Sequence, residues 1–134
     1  MRRRAIAGVA VIGALTVAGV IVLVLHRGPG GAASPQAAVA GYVAALGAGD
    51  RGRLEDIADP DHDASTEIPD RLRRLGSGRL VVTGTAIGTT ESDHLRPVDI
   101  TGTVEGSPYS ERLWLYRHDD RWFIALGPHR DARR

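Results

Sequence analysis

The stretch LWLYRHDDRWFIALG, Leu113 to Gly127, decides the fold. Apolar and aromatic residues alternate on both sides of a central polar turn, a pattern typical of two strands that form a hairpin. Leu113 and Leu115 are predicted to point to one face of the sheet, and Trp114 and Tyr116 to the other. Because both faces carry large apolar side chains, the hairpin predicts central strands whose second face is covered by loops or the first helix. The alternatives are that one face is a homodimer or partner interface, or that it lines a pocket between the sheet and the first helix.

A period of two residues extends upstream from this hairpin and indicates four sequential strands in all. The predicted strands are Arg79–Thr90, Pro97–Gly106, Tyr109–Arg117 and Asp120–Gly127. The turns predicted between them are Ser92-Asp93, Gly106-Ser107-Pro108 and His118-Asp119-Asp120. Short sequential strands joined by tight turns predict an antiparallel meander.

The segment before the strands has the period of about 3.6 residues that is typical of helices. Ser34 followed by Pro35 marks a helix start, and the first helix is predicted to run from Gln36 to about Ala48. Asp50 caps a short second helix that Pro60 ends, and Pro69 opens a third. Helices followed by strands predict an α+β domain with the helices on one face of the sheet.

The first 25 residues predict a membrane anchor. Arg2 to Arg4 precede an apolar run from Ala5 to Leu25, which as a helix spans roughly 30 Å, the hydrocarbon thickness of a bilayer. The arginines are expected to stay in the cytoplasm and the C-terminal part to lie outside. A cleaved signal peptide is the alternative, with Gly31-Ala32-Ala33 as the place of cutting.

The chain therefore divides into an anchor and one outer domain. The predicted division is 1–27 for the arginine cluster and transmembrane helix, 28–34 for a flexible linker, 35–128 for the domain and 129–134 for a flexible tail. We expect the mature protein to sit in the cell membrane as a single-pass protein.

Composition excludes several kinds of function. The 134-residue chain has no Cys, so it has no disulfide, no thiolate metal site and no cysteine nucleophile. Its net charge is only +1, and three positive charges belong to the N-terminal arginine cluster, which argues against nucleic-acid binding. No phosphate loop, G-x-S-x-G elbow or H-E-x-x-H pair is present, so no cofactor is expected.

The helix start at Ser34-Pro35, the corner ALGAGDRGRL and the terminal hairpin together resemble the cystatin-like roll of the nuclear-transport-factor-two-like and SnoaL-like superfamily. The resemblance covers roughly Ser34 to Gly127. It implies short helices on a four-stranded antiparallel sheet, in which many members have Gly near the last turn, where this chain has Asp120. Single-span versions of such domains resemble accessory proteins of the cell envelope.

The link between the second and third helices carries aspartates at calcium-loop spacing. Asp59, Asp61 and Asp63 alternate, and Asp70 stands at the twelfth place, as in loops of the EF-hand type. However, Ala64 replaces the glycine of the sharp turn. Aspartates also cap helices and form turns without any metal, so no metal is assigned and calcium is kept as the alternative.

The sequence assigns no catalytic residue. Asp63, His94 and Asp99 are the ones to test first, and Glu111, Arg112 and Arg121 are interpreted as exposed strand residues. His62, His94, His118 and His129 are scattered without ligand spacing. Aromatic residues are favoured at interfaces, so the predicted ligand or partner surface consists of Tyr42, Trp114, Tyr116 and Trp122.

These observations predict a non-enzymatic, membrane-anchored accessory protein of the cell envelope. Its outer domain is expected to bind a protein partner or a second copy of itself through the last hairpin. The alternative is a domain that binds a small lipophilic ligand, or acts as an isomerase, in a cone between helix and sheet.

Overall fold

The computed structural model describes residues 30–130, which form three helices and one antiparallel sheet. Helix α1 spans Pro35–Ala48, α2 spans Arg51–Ile57 and α3 spans Glu67–Leu75. The strands are β1 (Leu80–Ile87), β2 (Leu95–Val104), β3 (Ser107–His118) and β4 (Arg121–Ile124). They lie in the order β1-β2-β3-β4. The predicted α+β class and meander are confirmed.

Local sequence explains where the helices begin and end. The Ser34 hydroxyl accepts a hydrogen bond from the Ala37 amide at 3.0 Å, and the Asp50 carboxylate accepts one from the Arg53 amide at 3.1 Å. Helix α3 begins two residues earlier than predicted, because a proline is tolerated in the first turn, where its missing N–H needs no partner.

Two hairpin turns are tighter than predicted. Val104 pairs with Ser107, so the turn is Glu105-Gly106 and not Gly106-Ser107-Pro108. His118 pairs with Arg121, and both Asp119 and Asp120 have positive φ, 50° and 65°. Positive φ at both central residues matches the twist of a two-residue hairpin, and aspartate tolerates it better than most residues. Asp120 thus adopts the left-handed backbone conformation at the turn near which many members of the resembled superfamily have Gly.

The helices cover one face of the sheet, which we call the helix face. Its buried side chains from the strands include Val98, Ile100, Leu113, Leu115, Trp122 and Ile124. They pack with α1 and α2 residues, among them Val39, Tyr42, Leu46, Leu54 and Ile57. The opposite side, to which Trp114 and Tyr116 point, is the outer face. The predicted sorting of Leu113 and Leu115 from Trp114 and Tyr116 is therefore correct.

Both ends of the described chain are bonded to the domain. Ala32 exchanges two backbone hydrogen bonds of 2.8 Å with Trp122, so part of the predicted flexible linker pairs with the edge of β4. His129 forms a backbone bridge with His62, and the Arg130 amide donates to the Asp61 carbonyl at 2.9 Å. These two residues of the predicted tail supply partners to backbone groups of the link.

No helix within residues 30–130 is long and apolar enough to cross a membrane. The predicted span, Ala5 to Leu25, and the arginine cluster before it lie outside the described residues. The anchor therefore stays a prediction.

Candidate functional site

The link between α2 and α3, residues 58–66, follows the free side of β4. Ala58 bridges Ile124 in a parallel arrangement, and the Asp59 amide donates to the Ile124 carbonyl at 2.8 Å. This pairing turns the Asp59 side chain toward the end of β3, where His118 lies. The path of the link thereby brings Asp59 into contact with His118, which lies 59 residues later in the sequence.

Asp59 lies at the centre of a cluster with two histidines and a second aspartate. One carboxylate oxygen, Oδ2, is 2.6 Å from His62 Nδ1, and the other, Oδ1, is 2.5 Å from His118 Nε2. Asp61 Oδ2 lies 3.8 Å from the same His118 nitrogen. We call these four residues the Asp59 cluster. Asp59 itself is only 1% exposed, so its carboxylate takes hydrogen-bond partners from these imidazoles in place of water.

Aromatic rings support the cluster. The His62 ring lies 5.3 Å from the ring of Tyr116 and 5.0 Å from that of His129, and the His118 ring lies 5.7 Å from that of Phe123. Beside the cluster is a cavity of about 400 Å³ whose lining includes Asp59, His62 and Phe123. The constellation was not predicted from the sequence, because the spacing of the histidines along the chain does not indicate that any of them lies beside Asp59. The sequence did indicate one part of the cluster: alternation along β3 places His118 and Tyr116 on the same face of the sheet.

The EF-hand arrangement of four aspartates is not formed. Asp63 Oδ1 accepts hydrogen bonds from the amide of Ser65 at 3.1 Å and from its hydroxyl at 2.7 Å. Asp70 lies on α3, where its carboxylate bonds Arg73 and Arg74, the latter at 2.7 Å, and these arginines hold its pKa below the usual value. Only Asp59 and Asp61 of the predicted set come together, with His118 as an unpredicted member.

A second polar cluster lies inside the domain, between α1, α3 and β3. Arg71 is 6% exposed, and its guanidinium contacts Glu67 at 2.6 Å, the Tyr42 hydroxyl at 2.8 Å and both carboxylate oxygens of Glu111. The Tyr109 hydroxyl donates to Glu111 as well. We call these five residues the Arg71 network. The interpretation of Glu111 as an exposed strand residue was wrong, because β3 places it opposite Arg71 on the helix face.

Electrostatics bind the Arg71 network together. Burial alone would raise the pKa of Glu111, but the hydrogen bonds from Arg71 and Tyr109 and the positive charge of Arg71 hold it below the usual value. Burial raises the pKa of Tyr109, and its hydrogen bond to Glu111 raises it further. Since each of the three guanidinium nitrogens is bonded to a side chain, the network serves the fold and does not offer an anion clamp.

The free energy of unfolding at alkaline pH should depend on Tyr42. Burial raises its pKa from 10.0 to about 12, and the positive charge of Arg71 offsets part of the rise. The folded state holds this proton more tightly than the unfolded state. The corresponding stability is therefore complete below pH 10 and is lost as the pH rises toward about 12.

We expect the Tyr42→Phe variant to lose less free energy of unfolding than the wild type between pH 10 and about 12. Urea unfolding of the full chain at several pH values measures this difference. Tyr116→Phe, which changes a tyrosine of the outer face, is the matched control and should follow the wild type. An unchanged pH dependence in Tyr42→Phe would contradict the assignment.

The four residues of the predicted partner surface are divided between the core and the outer face. Tyr42 and Trp122 are buried, and Trp122 lies on the helix face with the guanidinium groups of Arg96 and Arg117 at 5.9 and 6.0 Å from its ring. Both are core residues, since the alternation of β4 turns Trp122 inward. Trp114 is 37% exposed and Tyr116 is partly exposed, so these two remain available to a partner.

The residues singled out for catalysis lie in separate surroundings. Asp99 forms a two-pronged ion pair with Arg112 on the outer face, at 2.7 and 3.0 Å, and His94 is exposed before β2. Arg121 is not a free strand residue, because it donates to the carbonyls of Gly30 and Gly31 at 3.3 and 2.8 Å. No general acid–base pair emerges from Asp63, His94 and Asp99.

The fold and its clusters define an α+β domain with an apolar core, a buried polar network around Arg71 and a second polar cluster around Asp59. No protein-family model matches the chain, and no curated protein matches it. Among solved structures, the chain is similar to a crystal structure described as a candidate Ca/calmodulin-dependent kinase II association domain from Exiguobacterium sibiricum. The two share 15% identity with a TM-score of 0.43, over 69% of this chain and 88% of the other. The fold assignment therefore rests on the helices and strands described above.

Proposed function

We propose that the chain is a non-enzymatic, membrane-anchored accessory protein of the cell envelope whose domain is a cystatin-like roll that binds another protein through its outer face. The partner is either a second copy of the chain or another envelope protein. The anchor is the apolar run from Ala5 to Leu25, with the arginine cluster before it.

One observation carries the proposal: Trp114 is 37% exposed on β3, on the face of the sheet that points away from the helices. Its neighbours on the outer face include the exposed ion pair of Asp99 and Arg112. An exposed tryptophan rimmed by polar groups is typical of an interaction surface. On the helix face, the Arg71 network and the apolar core fill the space around Tyr42, the residue predicted to line a ligand pocket.

A second candidate function has its own observation. A groove of about 380 Å³ lies between α1 and β1, and its lining is mostly aliphatic: Gln36, Val39, Ala40, Val43, Ala44, Val82, Thr85 and Ile87. A small lipophilic molecule would fit its chemistry. Tyr42, which the sequence analysis assigned to such a pocket, does not line it.

The proposed interface predicts that Trp114→Ala weakens association of the chain. Truncation of a central aromatic anchor typically costs about 2 kcal/mol or more of binding, a loss of roughly thirtyfold in affinity. The measurement is the mass of the full chain, extracted from membranes in mild detergent, by size-exclusion chromatography with light scattering. Arg73→Ala, at an exposed site on α3, is the matched control and should keep the associated mass.

Two outcomes would contradict this proposal. The first is a monomer mass for the wild type, together with no co-purifying protein that Trp114→Ala releases. The second is an equal loss of association in Arg73→Ala. Binding of a lipophilic probe that Val43→Glu abolishes, in a chain that is monomeric, would favour the groove.

A further inference from the structure

We propose that Asp59, Asp61 and His118 form a binding site for a divalent transition-metal ion of the zinc class. Their donor atoms, two carboxylate oxygens and one imidazole nitrogen, lie within 4.8 Å of one another. They come from two distant parts of the chain, the link and the end of β3. Imidazole nitrogen and carboxylate oxygen are ordinary protein ligands of zinc.

The distances are close to those that a bound ion requires. Zinc holds its ligands at about 2.0–2.2 Å in a tetrahedron, so neighbouring donor atoms lie about 3.3 Å apart. His118 Nε2 is 3.8 Å from Asp61 Oδ2 and 2.5 Å from Asp59 Oδ1. The first pair must close, and the second must open, by less than about 1 Å each. Small side-chain rotations suffice for both.

The site is open to solvent and leaves one coordination position free, as labile and reactive metal ions require. The side chains of Asp61 and His118 are 62% and 33% exposed, so an ion can enter from solvent. Three protein ligands leave a fourth position for water. Asp59 supplies the buried anchor of the site, and the hydrogen bond between its amide and Ile124 fixes its backbone.

His62 acts as a positioning residue. It occupies Asp59 Oδ2 through its Nδ1 at 2.6 Å, which leaves Oδ1 directed at His118. The rings of Tyr116 and His129 hold the His62 ring in place. Partners that orient a ligating group in this way raise metal affinity by about 10–100-fold.

The donor set selects against calcium. Calcium requires six to eight oxygen ligands, whereas this cluster offers two aspartates and a nitrogen. Asp63 is turned to Ser65, and Asp70 is bonded to arginines on α3. The aspartates that suggested a calcium loop in sequence thus contribute two members to a site of different chemistry.

The test is a zinc titration of the full chain without an added histidine tag, by calorimetry and by competition with a chromophoric chelator. We expect one zinc ion per chain. His118→Ala and Asp61→Ala should each lower the affinity by more than about 100-fold, since they remove a ligand and not only an outer partner. His62→Gln should lower it by about 10–100-fold with one ion still bound. His94→Ala, which removes an exposed histidine outside the Asp59 cluster while keeping the backbone hydrogen bond to Arg117, is the control and should bind as the wild type does.

The proposal is overturned if the wild type shows no saturable zinc binding, if Asp61→Ala binds as tightly as the wild type, or if calcium binds more tightly than zinc. Asp61→Ala keeps the test decisive if His118→Ala does not fold, because Asp61 is largely exposed. Circular dichroism of each variant establishes folding before the titration.

Discussion

Glu111→Ala should destabilise the protein strongly. The substitution leaves the buried Arg71 guanidinium without its two-pronged partner and removes the acceptor of the Tyr109 hydroxyl. Loss of one partner of a buried ion pair costs about 3–5 kcal/mol, and Glu111, whose side chain is 23% exposed, should lie near the lower end. Chemical unfolding of the full chain measures the free energy.

The sheet provides its own control for this prediction. Asp99 on β2 and Arg112 on the neighbouring strand β3 form a two-pronged ion pair on the outer face, and both side chains are exposed. Asp99→Ala removes the same charge as Glu111→Ala, but solvent replaces the lost partner, so we expect little change in stability. The double variant Arg71→Met Glu111→Leu should recover part of the loss, because no buried guanidinium is left unpaired; the half-buried Glu67, which also loses Arg71, keeps the recovery incomplete. Equal effects of Glu111→Ala and Asp99→Ala would show that burial of the pair does not matter.

Gly127→Ala should be the most damaging glycine substitution near the Asp59 cluster. Gly127 has φ +85°, and an added Cβ would lie 2.0 Å from the backbone carbonyl oxygen of Asp63. Positive φ costs a residue with Cβ about 1–2 kcal/mol, and displacement of the link adds to it, so we expect a loss of about 3 kcal/mol or more. The midpoint of urea unfolding gives the value.

Gly78→Ala separates the two contributions. Gly78 has nearly the same φ, +86°, but nothing lies within 4 Å of its added Cβ. It should therefore show the conformational penalty alone, about 1–2 kcal/mol. If both variants lose the same stability, the contact between Gly127 and the link is not tight, and the position of Asp59 is less constrained than described.

Local signals predicted the framework of the fold. Ser34-Pro35 and Asp50 began the helices where expected, because a cap depends on residues within one turn. Alternation in β3 sorted Leu113 and Leu115 from Trp114, because successive strand residues point to opposite faces. The superfamily resemblance predicted the same order of helices and strands, and it remains part of the proposal.

The polar clusters escaped prediction because they depend on contacts between distant parts of the chain. The helical period of α3 directs Leu72 and Leu75 inward, yet Arg71 is buried as well, since Tyr42 and Glu111 meet it there. From the sequence, Asp59 was interpreted as a solvated turn residue. In the structure it is buried beside His118, because the link pairs with β4. Burial of a charged residue follows from a partner far away in sequence, which spacing along the chain does not reveal.

The central claim, an outer face covered by a partner outside the membrane, has a direct test in a chain that contains no Cys. Ser110→Cys places a thiol on the outer face of β3, four residues before Trp114, and Asp93→Cys places one at an exposed site before β2. Labelling of intact cells with a membrane-impermeant maleimide should modify Asp93→Cys and spare Ser110→Cys, unless Trp114→Ala is also present. Labelling of Asp93→Cys only after lysis, or equal labelling of both thiols in intact cells, would contradict the account.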